Sequence, residues 1–107
     1  MSFNKSKDDI VCVSAVRTPF GQFGGSLRDI DIYDLGAAAM KNCMERVSLN
    51  PELIGEVWWG NGDTTNTKDP YTPVVARQTM SKAGIPPETL SIAYDQACTS
   101  AMTTVKY

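Results

Sequence analysis

The chain has 107 residues, 42% hydrophobic and 21% charged, with a formal net charge of −2. That suffices for one small globular domain and excludes a disordered chain. Its ten Lys and Arg are scattered with no basic run, so charge gives no reason to expect a nucleic-acid partner.

Residues 1–9 read as a polar lead-in, and no run resembles a signal peptide or approaches the length of a membrane span. Ile10 to Val16, IVCVSAV, is a short β-branched apolar run that predicts a buried strand. The Gly-rich stretch RTPFGQFGGSLRDID, with Pro19, predicts a long loop. A helix follows, with Asp31 or Asp34 near its start and Leu35, Ala38, Ala39, Met44 and Val47 as its apolar stripe. Leu49-Asn50-Pro51 breaks it. Glu56 to Gly60, EVWWG, predicts a second strand, with one tryptophan ring on each face. Asn61 to Pro73 is polar and predicts a second long loop. Pro73 suits the first turn of a helix that runs on through VVARQTMSKAG to a stop at Gly84. Ser91 to Tyr94 predicts a third strand, and Cys98 to Tyr107 a third helix with Ala101, Met102 and Val105 on one side. Strands alternating with helices imply an α/β fold, a mainly parallel sheet with helices packed on it.

Three cysteines, Cys12, Cys43 and Cys98, form no CxxC pair. An odd count at this spacing argues against a disulfide framework or a zinc site and fits a reduced, cytoplasmic setting. The chain has no histidine, the usual general base near neutral pH, so no Cys–His or Ser–His–Asp arrangement can be assembled within it. The glycines after the first and second strands do not keep GxGxxG spacing, and their bland reading is tight turns. Cys12 and Cys43 read as inert buried residues, one in a strand and one in a helix. Arg17 reads as a surface or interface residue. Cys98 has two readings. At a helix N-terminus, unpaired backbone N–H groups stabilise a thiolate and an oxyanion. Equally, free cysteine is often a small buried apolar residue.

Beyond these local patterns, VRTPFGQFGGSLRDIDIYDLG (Val16 to Gly36) resembles the N-terminal signature of thiolases, enzymes that join or cleave acyl-coenzyme A thioesters. Gly60-Asn61, Ala76-Arg77-Gln78 and Ala83 to Pro86 recur in that family in the same order, and DQACTSA falls where it carries its nucleophilic cysteine. The resemblance spans nearly all of the chain from Ile10 onward. It implies a partial thiolase-like layered βαβαβα unit over residues 10–107, an incomplete N-terminal domain. It also implies Cys98 as the nucleophile that takes the acyl group as a thioester, with its backbone N–H as one oxyanion donor.

The substrates implied are acyl-CoA and CoA, with no cofactor and no metal, in fatty acid metabolism. The partner expected is a second copy in a homo-oligomer or a thiolase-like chain. The family's activating histidine and its second cysteine lie further along, so the chain reads as an N-terminal fragment, inactive by itself. The alternative is a non-catalytic thiolase-like partner or scaffold subunit. Asp95 stands where the family often has Asn, and Thr99-Ser100-Ala101 where it often has Gly-Ser-Gly or Ser-Ser-Gly, so a divergent subgroup is expected.

Overall fold

A computed structural model describes residues 4–62 and 74–107. Helix α1 spans Ile32–Glu45, a short 3-10 turn Pro51–Leu53, strand β1 Glu56–Gly60, helix α2 Val75–Lys82, strand β2 Leu90–Tyr94 and helix α3 Ser100–Lys106. β1 and β2 are parallel, with Glu56 opposite Leu90 and Gly60 opposite Tyr94. Parallel neighbours need a crossover, and the segment carrying α2 supplies it.

Local chemistry fixes the helix ends. The Asp31 carboxylate accepts from the Tyr33 N–H at 3.0 Å and caps α1. α2 ends in a Schellman turn. The Ile85 N–H donates to the Met80 carbonyl and the Gly84 N–H to the Ser81 carbonyl, both at 3.1 Å. That turn places Gly84 at φ +83°, which glycine adopts without cost. α1 closes the same way, Leu49 to Met44 and Ser48 to Glu45, with Ser48 at φ 51°.

One face of the sheet carries the core. Val57 of β1 packs with Ala37 and Met44 of α1, Met80 of α2, and Ala83 and Ile85 just beyond it. Met80 is fully buried, which by area contributes about 2–3 kcal/mol. Trp59 points to this face, and its ring lies where a Cβ on Gly36 would sit, 2.5 Å away. Trp58 faces the other side and stacks on Tyr94 and Tyr107, with centroids 5.6 and 6.3 Å away. The two tryptophans therefore divide between the faces as strand alternation requires.

The described structure corrects several expectations. Ile10 to Val16 forms no strand among the described residues, and Ile10, Val11 and Val13 are exposed. A strand exists only through its ladder, and this run has none. The chain is held instead where Val16 to Pro19 lie along α1, and where the Arg46 guanidinium donates to the Ala15 carbonyl at 3.5 Å. The apolar side of α1 is rotated from the predicted stripe. Tyr33, Gly36, Ala37 and Met44 are buried, whereas Ala38 is exposed and Val47 lies beyond the helix. Pro73 and most of the second loop lie outside the described residues. No helix among the described residues is long and apolar enough to cross a membrane.

Candidate active site

Cys98 lies on the turn between β2 and α3, at the C-terminal edge of the sheet, where open α/β sheets bind ligands. Its side chain is exposed. The helix begins two residues later than its sequence suggests: Ser100 is the first helical residue and Thr99 the cap position. The reason is local. Three polar side chains, Asp95, Thr99 and Ser100, compete for the backbone between Asp95 and Thr99 and hold it in a turn.

The Asp95 carboxylate accepts from the Ala97 N–H at 3.0 Å. The Ser100 hydroxyl accepts from the Gln96 N–H at 2.8 Å and donates to the Ala97 carbonyl at 2.7 Å. The Thr99 hydroxyl donates to the Gln96 carbonyl at 2.9 Å. The Gln96 side-chain oxygen in turn accepts from the Thr103 hydroxyl. Together these bonds hold Ala97 at φ 50°, a left-handed conformation that costs an alanine roughly 1–2 kcal/mol. The strained residue directly precedes the cysteine, so the turn that stores the strain also lifts Cys98 to the surface. Asp95 therefore serves the turn: its carboxylate is engaged by the backbone of Ala97.

Two glycines let the end of β1 approach this turn. A Cβ on Gly60 would lie 2.5 Å from the Ala101 nitrogen, and one on Gly62 would lie 2.6 Å from the Ala97 carbonyl oxygen. Neither has a positive φ. They are there for close backbone approach rather than for a turn, and the GxG spacing that fails as a nucleotide motif is a packing signal. The missed cue was a Gly-Asn-Gly directly after a strand. Ser100 was legible only as a match to the family pattern, and the two hydrogen bonds of its buried hydroxyl to the turn emerge only in three dimensions.

The other cysteines differ from expectation. Cys12 is exposed, its thiol donating to the Ser14 carbonyl at 3.4 Å, because the strand that was to bury it does not form. Cys43 is half-buried on α1. The structure does not gather the three thiols into a group, and among the described residues no three His, Cys, Asp or Glu side chains are placed to hold a metal. Arg17 lies at the surface, its guanidinium 3.5 Å over the Phe20 ring and donating to the Thr18 carbonyl at 2.8 Å.

The parallel sheet with its packed helices makes this an α/β fold, with a cysteine exposed on the strand-to-helix turn at the C-terminal end of the sheet. Within that class the chain belongs to the thiolase family: residues 10–107 match the thiolase N-terminal domain. It is 37% identical over 95 residues to an acetyl-CoA acetyltransferase of Schizosaccharomyces pombe, covering 88% of this chain and 23% of that one. Against the Cupriavidus necator acetyl-CoA acetyltransferase it is 38% identical over 98 residues, covering 91% and 24%. The fold superposes on human mitochondrial 3-ketoacyl-CoA thiolase, solved in complex with CoA, with a TM-score of 0.78 and 32% identity over 88% of this chain and 23% of that one. The chain thus spans about a quarter of the length of the relatives it matches.

Proposed function

We propose that Cys98 is the acyl-accepting nucleophile of a thiolase-type acyltransferase. The supporting observation is its exposure on a turn fixed by three side chains, in a chain that belongs to the thiolase family. The Cys98 thiolate attacks the carbonyl carbon of an acyl-CoA thioester, and a new C–S bond forms. The carbonyl oxygen takes the negative charge and is met by the Cys98 backbone N–H. Collapse of the adduct breaks the old C–S bond, and CoA leaves as its thiol once it has gained a proton. The acyl group stays on Cys98 until an acceptor takes it, which is a ping-pong sequence.

The proton that Cys98 loses needs a base. No histidine is present in the 107 residues. A histidine base therefore comes from outside them, in the same polypeptide or in a partner subunit such as a second thiolase chain. Such chemistry suits the cytoplasm and the turnover of fatty acyl groups.

The test is acylation followed by peptide mass mapping. Protein purified from its native source is incubated with acetyl-CoA and digested without reducing agent. An acetyl adduct on the peptide containing Cys98, absent after Cys98→Ser, is expected. Label on Cys12 or Cys43 instead, or none at all, defeats the proposal and leaves the chain as a non-catalytic thiolase-like partner.

A further inference from the structure

One peptide group ties Ser100 to Cys98. The Ala97 carbonyl and the Cys98 N–H belong to the same planar unit, and because that peptide is trans they point in opposite directions. Ser100 holds the carbonyl end twice, its hydroxyl donating at 2.7 Å and its N–H at 3.3 Å. The Cys98 N–H is thereby turned away from Ser100, and it donates to none of the described residues. It is left open as a donor on the residue whose thiol is exposed.

What each partner can do settles the direction of every bond. The Gln96 N–H can only donate, and it donates to the Ser100 oxygen at 2.8 Å. The Ala97 carbonyl can only accept, so the hydroxyl proton goes to it. The bonds form a one-way chain from the Gln96 N–H through the Ser100 hydroxyl to the Ala97 carbonyl, and through the peptide to the Cys98 N–H. Each bond in such a chain polarises the next and strengthens it by roughly 10–30%. Ser100 is only 3% exposed, so water hardly competes for its hydroxyl. We infer that Ser100 is a positioning residue for acyl transfer: acting through the Ala97–Cys98 peptide, its hydroxyl aims and strengthens the N–H that meets the oxyanion.

The inference rests on Cys98 as the acyl-accepting nucleophile, and its test compares two reactions of the same thiol. With acetyl-CoA the carbonyl oxygen takes a negative charge that needs a donor. With iodoacetamide the thiolate displaces iodide from a CH₂ carbon, and no charged oxygen forms. Both rates are followed at Cys98 by peptide mass mapping, in protein purified from its native source, and their ratio cancels any change in thiol exposure or ionisation. Removing an oxyanion donor outright costs roughly 100–1,000-fold, so misaiming one by Ser100→Ala should lower the ratio of acylation to alkylation by about tenfold. Ser100→Thr, which keeps the hydroxyl, should return the ratio to within about threefold of the parent's. Should Ser100→Ala not fold, the same comparison is made with Ala97→Gly against Ala97→Gly/Ser100→Ala, since glycine takes a φ of 50° without cost. If Ser100→Ala slows both reactions alike, or neither, Ser100 only supports the turn and the inference is overturned, while the acyl-transfer proposal stands. A parent protein that takes no acetyl group on Cys98 overturns both.

Discussion

Gly60→Ala is the sharpest probe of how the sheet holds the cysteine turn. The added Cβ would meet the Ala101 nitrogen and the Ser100 carbonyl carbon at 2.5 Å and the Ala101 Cα at 2.6 Å. Ordinary contact begins near 3.5 Å, so the first turn of α3 must retreat by about 1 Å. The obstacle is backbone on both sides, with no flexible side chain to give way. Overpacking of this kind costs about 1–3 kcal/mol, and backbone against backbone puts it near 3. The retreat also moves Cys98, two residues before α3, and a misplacement of about 1 Å can cost roughly 100-fold in a positioned reaction. Urea unfolding followed by tryptophan fluorescence measures the first effect, and the rate of thioester formation from acetyl-CoA the second. Gly55→Ala is the control: nothing lies within 4 Å of its added Cβ and its φ is not positive. It should be neutral or stabilise by up to about 1 kcal/mol. If Gly60→Ala unfolds within about 0.5 kcal/mol of the parent chain, surface-like in its effect, then α3 does not pack on β1 as described and the reasoning fails.

Ser100→Ala removes a buried hydroxyl that bonds the Gln96 N–H and the Ala97 carbonyl. The Gln96 N–H loses its acceptor, for a loss of about 2 kcal/mol by thermal or urea denaturation; a change within noise would show the turn is held otherwise. Iodoacetamide should label Cys98 and Cys12 ahead of Cys43, since the first two are exposed. If Cys98 is the nucleophile it outpaces Cys12 as well, as peptide mapping over time would reveal, and equal rates would count against an activated thiol. Lys82 donates to Asp34 at 2.6 Å, and this bond raises the lysine above its usual 10.5. A raised folded-state value gives stability that is complete below 10.5 and lost as pH climbs through the raised value. The stability difference between the parent chain and Lys82→Met should therefore be small at neutral pH, shrink with added salt, and disappear in strong alkali. A difference that persists there would trace to packing of the lysine stem.

The local signals in the sequence worked where the deciding physics was local. Gly84 as a stop and EVWWG as a strand rest on bonds or sterics within a few residues and stand where they were expected, and of the two aspartates offered for the start of α1 the structure makes Asp31 the cap. The same holds for the split of Trp58 and Trp59 between the faces. IVCVSAV failed because a strand is a statement about a partner, and nothing in a seven-residue, mostly apolar run says whether an edge will receive it. The stripe on α1 failed more mildly. Which side of a helix of small residues is covered depends on where Trp59 and Met80 arrive, and both come from elsewhere in the chain.

By itself, then, the sequence determined the class of fold, the family through its ordered motifs, and the identity of the one cysteine standing after a strand and before a helix. Only the tertiary structure decided how that cysteine is held. The strain at Ala97, the buried Ser100 bonds and the near-contact of Gly60 with α3 and of Gly62 with Ala97 join residues whose spacing is invisible as a motif. The burial of the Trp59 and Asn61 side-chain nitrogens is likewise a product of assembly. Trp59 and Asn61 lose their water only when α1, β1 and α3 close around them, and burial of that kind is a property of the packed chain.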